Sequence, residues 1–356
     1  MKRLLSFSLV LLLVLSACAK TGGPPSGPAE SGAEPPLTEP SGNTAPEGPR
    51  NPLTGLRDGI SEENARRKPV AIMINNIRAS LPQYGIGGAD IIYEMLAEGS
   101  ITRLLAIWKD PSKAARIGSI RSARPYYMEI ADGYDAIYLH FGGSVPAYQK
   151  IAKHEIINLD GIENRWDGLL YYREAERRKK YAREHTVFTT GERIESALAL
   201  LSNDLTVKDR GDAFDFSTEP SSKDGMPADK ITVHYSKNYN PWFEYDEQSK
   251  AYLHYEYGDP HIDGETGRQL SVKNVFVLKM KTSAVKGSKL GLIEIETAGK
   301  GRGFYACEGK YIPVNWEKKD AASPIRFSLE DGAGLKVSPG NTYVCCIPQN
   351  SEPEFE

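Results

Sequence analysis

The sequence predicts a layered α/β domain over residues 51–210, followed by a β-rich domain over residues 211–356. Two rhythms lead to that division. Short apolar runs alternate with helical stretches as far as Asn203, as expected where helices layer on a sheet. Beyond Asp212 the chain turns to strand-length runs rich in aromatic and β-branched residues, separated by turns. Ser, Asp, Glu, Pro and Gly cluster between the two, over residues 203–228.

The chain opens Met1-Lys2-Arg3, and residues 4–15 are almost wholly apolar. That run is shorter than the about 20 apolar residues needed to span a bilayer. A charged front and a short apolar stretch are instead the marks of a secretory leader. It ends Leu15-Ser16-Ala17-Cys18, which resembles the lipobox of bacterial lipoproteins, where cleavage precedes a cysteine that carries diacylglycerol. The expectation is a leader over residues 1–17 and lipidation, with palmitate, at Cys18. The product would be anchored at the extracytoplasmic face of the cell membrane. Residues 18–50 show no apolar periodicity and are dominated by Pro, Gly, Ser, Glu and Thr. Such a segment buries too little apolar surface to offset the entropy of ordering it, so it reads as a spacer.

Strands are expected at residues 70–74, 91–96, 104–108, 117–120 and 136–141. Pro125 suits the first position of a helix over residues 126–131. Ser144 is placed to cap a helix beginning at Pro146. Thr189 and Glu192 form a capping box before a helix over 194–201. In the second half, residues 231–235, 242–245, 252–255, 275–278, 292–295 and 343–347 read as strands, with turns at Asp331-Gly332 and Pro339-Gly340.

The formal net charge is −3 and becomes −5 once Lys2 and Arg3 leave with the leader. A mildly acidic total argues against nucleic acid as a partner. Cys18 aside, the cysteines are Cys307, Cys345 and Cys346. Exported proteins can form disulfides. A bridge from Cys307 to Cys345 or Cys346 on an adjacent strand is one expectation, and buried free thiols are the other. No His stands at ligand spacing beside them, so no metal site is expected.

The densest chemistry lies between Asn75 and Gly143. Arg78, Arg103, Arg116, Arg121 and Arg124 recur there, with Asp90 before one strand and Glu94 and Glu98 along it. The run Arg121-Ser122-Ala123-Arg124-Pro125 falls between a strand and a helix start. Strand ends in α/β sheets bind ligands. A helix start adds free N–H groups that suit an anion, and arginine forks suit phosphate oxygens. The plainer alternative pairs these arginines with Glu94, Glu98 and Glu129.

Family resemblances sharpen this reading. Residues 51–56, 69–76, 89–94, 117–126 and 134–144, with 314–318 and 339–342 in the second half, are similar to the YerB-like lipoproteins of Gram-positive bacteria. The likeness covers essentially the whole mature chain and implies two family domains in tandem. Arg173 and His185 fall where YerB-like chains carry an Arg and a His before a segment such as Phe188-Thr189. The segment order of the first half also resembles the LytR-CpsA-Psr domain, whose members move wall polymers from polyprenyl pyrophosphate carriers onto peptidoglycan. In that likeness Asp90 begins a strand, Ile120-Arg121-Ser122 stands where that family has Pro-Arg-Asp, and Phe141-Gly142-Gly143 supplies the aromatic-Gly-Gly segment. Asn75-Asn76 replaces its first acidic motif. Asn lacks the charge that holds Mg²⁺ tightly, which bears on catalysis more than on fold.

The candidate ligand-binding set is therefore Asn76, Asp90, Arg103, Arg121 and Arg124, with Asn75, Glu94, His140, Arg173 and His185 as further candidates. His140 lies on an apolar strand, where a satisfied core histidine is the commoner outcome. The basic segment from Trp166 to His185 is either a lip for an acidic wall polymer or lipid headgroup, or a solvated helix or loop face with Glu174, Glu176 and Glu184 as partners. Three functions fit: a lipoprotein that binds an anionic envelope ligand or a wall partner without a cofactor, a Mg²⁺-dependent phosphotransferase on polyprenyl-pyrophosphate-linked glycans, or a scaffold for cell-wall enzymes.

Overall fold

The computed structural model describes residues 48–211 and 213–356. The expected leader, Cys18 and most of the spacer lie outside the described residues. No helix among the described residues is long and apolar enough to cross a membrane.

The first half is α/β layered and the second is β-rich, and strands of both halves join in one large sheet. Its order runs Met226–Pro227, Lys310–Lys318, Gly299–Cys307, Asn274–Met280, Thr342–Pro348, Ile91–Glu98, Ile101–Trp108, Val70–Asn75, Ile137–His140, Asn158–Asp160. The junction is the Thr342–Pro348 strand, which pairs in parallel with Asn274–Met280 on one side and Ile91–Glu98 on the other. Val70–Asn75 and Ile137–His140 are also parallel neighbours, and the Pro125–Gly133 helix precedes the second of them.

Val70–Asn75 is buried at every position, which explains its unbroken apolar run: a strand covered on both faces has no polar side. Ile72 and Ile74 join a cluster with Ile92, Leu104, Phe243 and Tyr252. Ala71 and Met73 join another with Tyr93, Leu105 and the helix residues Tyr127, Met128 and Ile130. The first cluster is covered by a six-stranded sheet containing Lys230–Thr232, Trp242–Asp246 and Ala251–Glu256. Each large apolar side chain so enclosed contributes about 1.5–3 kcal/mol.

One helix start and one cap differ from expectation by one residue, while Ser144 caps as expected. Val145, not Pro146, is the first helical residue after Ser144, whose hydroxyl accepts from the Ala147 N–H. Thr190, not Thr189, caps the Gly191–Leu198 helix. Thr189 ends a buried strand instead, and its hydroxyl donates to the Leu170 carbonyl.

Cys307, Cys345 and Cys346 are free, buried thiols. Cys345 and Cys346 lie on Thr342–Pro348, and Cys307 lies on Gly299–Cys307, with the Asn274–Met280 strand between them. Two strand spacings separate Cα atoms by about 9 Å, beyond the about 7 Å a disulfide tolerates. The expected bridge is therefore corrected to unpaired thiols.

Candidate functional site

The strand ends beside Asn75 gather the arginines. Ile120 bridges Ile74. The Arg121 N–H then donates to the Met73 carbonyl at 2.9 Å, and the Arg121 carbonyl accepts from Phe141 at 3.1 Å. The 120–123 segment is thereby wedged between the C-terminal ends of two parallel strands. Ala123 closes it by donating to Gly142, and Arg124 opens the Pro125–Gly133 helix without a side-chain cap. Arg103 arrives from the neighbouring strand, where it pairs with Asn75.

One carboxylate serves two of these cations. Glu98 Oε1 accepts from Arg103 Nη2 at 2.8 Å and forms an ion pair with Arg124. Arg103 Nη1 also donates to the Ser122 carbonyl at 2.6 Å, and Arg124 Nη1 to that of Ala123 at 2.7 Å. Burial lowers the pKa of both guanidiniums, because it removes water from a cation. Arg121 is different. It forms no ion pair with a described residue, its Nη1 reaches only the Glu184 carbonyl at 3.4 Å, and its Nε is sealed without a partner. Burial, then the nearby Arg103 charge, brings its pKa down to about 10. Arg103 and Arg124 thus share one carboxylate, and Arg121 has none within ion-pair distance among the described residues.

Asn75 and His185 fall beside Arg121, and Arg173 reaches the same 183–186 turn. Asn75 Nδ2 and His185 Nδ1 are 2.7 Å apart. Arg173 donates to the Arg183 carbonyl at 2.7 Å and lies over the Phe141 ring at 5.2 Å. Burial lowers the His185 pKa, and the Arg121 charge adds to the effect.

Next to Arg124 runs a groove of about 330 Å³. Tyr126, Ser144 and Lys150 line one side, and Val285, Leu292, Ile293 and Ile295 of a β-hairpin line the other. Lys150 pairs with Glu129, which also accepts from Thr297.

Other candidates stand elsewhere. Asp90 immediately precedes the Ile91–Glu98 strand, in which Met95 pairs with Arg103, so about five residues at 3.3 Å each put it about 16 Å from the arginine level. Its carboxylate accepts from Asn51 Nδ2 at 2.9 Å and the Lys109 N–H at 2.5 Å. Burial holds its pKa up at about 6. Asn76 and Glu94 are fully enclosed: Asn76 Nδ2 contacts Glu94 Oε1 at 2.8 Å, Thr102 Oγ1 at 2.9 Å and Tyr239 OH at 2.9 Å. Neither faces the arginines. His140 is held between the Gly142 carbonyl and Asn158 in the core.

The Asn76 cluster extends to residues that the sequence reading passed over. Gln83 donates to Asn76 Oδ1 at 2.7 Å and meets His261 Nε2 at 2.9 Å. His261 Nδ1 is 2.8 Å from His254 Nδ1. Glu256 accepts from Tyr239 at 3.1 Å. A signal existed: His254 and Glu256 alternate onto the buried face of Ala251–Glu256, where polar residues need partners.

A Mg²⁺ ion does not suit the donors present. Glu98 is neutralised by two arginines, Asp90 is at the other end of its strand, and the Asn75 and Asn76 amides are committed to His185 and Glu94.

Residues 53–203 match the family model described as the N-terminal domain of a protein of unknown function, DUF3048, and residues 231–344 match that for its C-terminal domain. A Bacillus subtilis (strain 168) protein called "Putative lipoprotein YerB" is 29% identical over 310 residues, covering 83% of this chain and 86% of that one. A crystal structure of the YerB protein from Bacillus subtilis is similar with a TM-score of 0.73 at 26% identity, covering 86% of this chain and 99% of that one.

Proposed function

The chain belongs to the DUF3048 family, and from that premise we propose that it is a lipid-anchored extracytoplasmic lipoprotein that binds an anionic, phosphate-bearing envelope ligand at the Arg121 end of its sheet. Likeness to the Bacillus subtilis protein called "Putative lipoprotein YerB" supports the envelope setting. The leader and Cys18 motif supply the anchor and the face. The observation that carries the ligand class is Arg121: a partly buried guanidinium with no carboxylate partner among the described residues, beside an Arg pair that shares a single Glu98.

The chemistry follows from the geometry. Arg103 and Arg124, locked by Glu98 and backbone carbonyls, set a positive potential without moving. Arg121 is left with donors to spare, and charge-assisted hydrogen bonds from such a fork to phosphate oxygens are the strong kind. The uncapped start of the Pro125–Gly133 helix adds to the same potential.

The apolar wall beside Arg124 favours a second reading, in which the ligand is a polyprenyl pyrophosphate and the protein a phosphotransferase on the glycan it carries. Against it stands the setting of Arg121, with which no carboxylate is paired among the described residues, while Glu98 is held by two arginines. The test is the thermal midpoint of the intact chain in detergent with inorganic pyrophosphate or a polyprenyl pyrophosphate, with and without Mg²⁺. A ligand at 100 times its Kd adds about 2.7 kcal/mol. The expected result is a rise with either ligand, independent of Mg²⁺ and lost in Arg121→Ala. A rise that requires Mg²⁺ moves the assignment to the transferase. No rise in folded protein removes the anion site and leaves a scaffold for cell-wall enzymes.

A further inference from the structure

We propose that the ligand is a linear, phosphate-bearing polymer, seated at Arg121 and led over the surface by Arg173, Arg178 and Arg183. This rests on the reading that Arg121 binds an anion, and it specifies what kind. Arg121 and Arg173 hang on one turn: Arg121 reaches the Glu184 carbonyl at 3.4 Å, and Arg173 reaches the Arg183 carbonyl at 2.7 Å and Thr186 Oγ1 at 3.2 Å. Arg178 and Arg183 are exposed beside them. None of the four forms an ion pair with a described residue, whereas the neighbouring Lys179 is paired with Glu176 at 2.6 Å. The acidic groups near them are Glu174, Glu176, Glu184 and Asp167, and none of these is within ion-pair distance of the four arginines. Residues 173–185 carry six Arg or Lys against three Glu, a net +3 on a chain whose net charge is −3. After burial, the charge on Arg183 does most to lower the pKa of Arg173, whose guanidinium donates to the Arg183 carbonyl.

A file of unneutralised cations leading to a recessed one fits a chain better than a bilayer. A flat lipid surface meets Arg178 and Arg183 but cannot follow to Arg121, which is partly buried between strand ends. The described chain also begins at the opposite end of the sheet, where Asn51 donates to Asp90.

The experiment measures affinity of the intact chain for inorganic pyrophosphate, long-chain polyphosphate and phosphatidylglycerol vesicles across a salt series. Counterion release makes the salt slope a count of phosphates engaged. The expected result is that long-chain polyphosphate binds at least about ten-fold tighter per phosphate than pyrophosphate. Arg178→Ala and Arg183→Ala should each lower the polymer's slope by about one and leave pyrophosphate binding unchanged. Equal affinity per phosphate, or slopes unmoved in both variants, overturns the polymer and leaves a small-anion site. Vesicles that bind as tightly as polyphosphate, with the same loss in both variants, overturn it in favour of a lipid surface. Failure to bind pyrophosphate as well overturns the anion site itself.

Discussion

The Asn76 carboxamide lies 2.8 Å from the Glu94 carboxylate, and both groups are sealed from solvent. Around them Thr102 donates to Glu94 Oε1 at 2.7 Å and Tyr343 to Oε2 at 2.8 Å. Tyr239 and Gln83 tie the pair to the second half of the chain. Cutting Asn76 back to Ala takes one donor from Glu94 Oε1, which keeps Thr102, and one acceptor from the Gln83 amide, which keeps the Asn75 carbonyl, each loss in this buried cluster costing about 1–3 kcal/mol. Asn76→Ala should therefore lower stability by about 3 kcal/mol or more in urea unfolding, with anion affinity unchanged. Intact stability with lost affinity would make Asn76 a ligand contact after all.

Glu256 makes the same cluster sensitive to pH. Burial, reinforced by Glu94, pushes its carboxyl from an ordinary 4.5 up to about 8. The folded state thus keeps a proton that the unfolded chain releases, so stability falls as pH rises between about 4.5 and 8, by up to about 1.4 kcal/mol per unit. His261 acts oppositely: burial lowers it from 6.5 to about 4, so its contribution is lost as pH falls through that interval. Glu256→Gln should gain stability relative to the parent steadily across pH 4.5–8. A flat difference between the two unfolding curves would show that Glu256 is ionised in the fold.

Glu98 holds two arginines and is the natural place to separate folding from binding. Glu98→Gln keeps the shape and removes the only carboxylate paired with Arg103 and Arg124 among the described residues. Two buried cations are then left without a counter-charge, which should cost about 3 kcal/mol or more. The same change makes the Arg121 end more positive, so pyrophosphate should bind more tightly, by about ten-fold or more. Isothermal titration beside a denaturation curve reads both, and weaker binding would place Glu98 among the ligand-orienting groups.

How much of this was legible in the sequence depends on range. The fully buried Val70–Asn75 strand, the Pro125 helix start and the Ser144 cap were readable because apolar periodicity and capping act over a few residues. The joining of both halves through Thr342–Pro348 was not, since pairing Ile91 with Thr342 leaves no local mark. The site shows the same limit. Arg103, Arg121 and Arg124 converge, and Asn75, Arg173 and His185 join them. Asp90 looked close only because sequence order hides that it and Glu98 occupy opposite ends of one strand.

The thiols give a last prediction. Cys307, Cys345 and Cys346 are 1%, 0% and 2% exposed, and burial pushes all three pKa values up. The thiolate is the reactive form, so enclosure and suppressed ionisation act together against reaction with solvent oxidants. The strand between Cys307 and the other two removes the intramolecular route as well. An alkylating reagent should therefore leave all three unmodified in the folded chain and label all three after unfolding without a reductant. Labelling that requires prior reduction would mean a disulfide, and with it a rearrangement of the Asn274–Met280 strand that separates the cysteines.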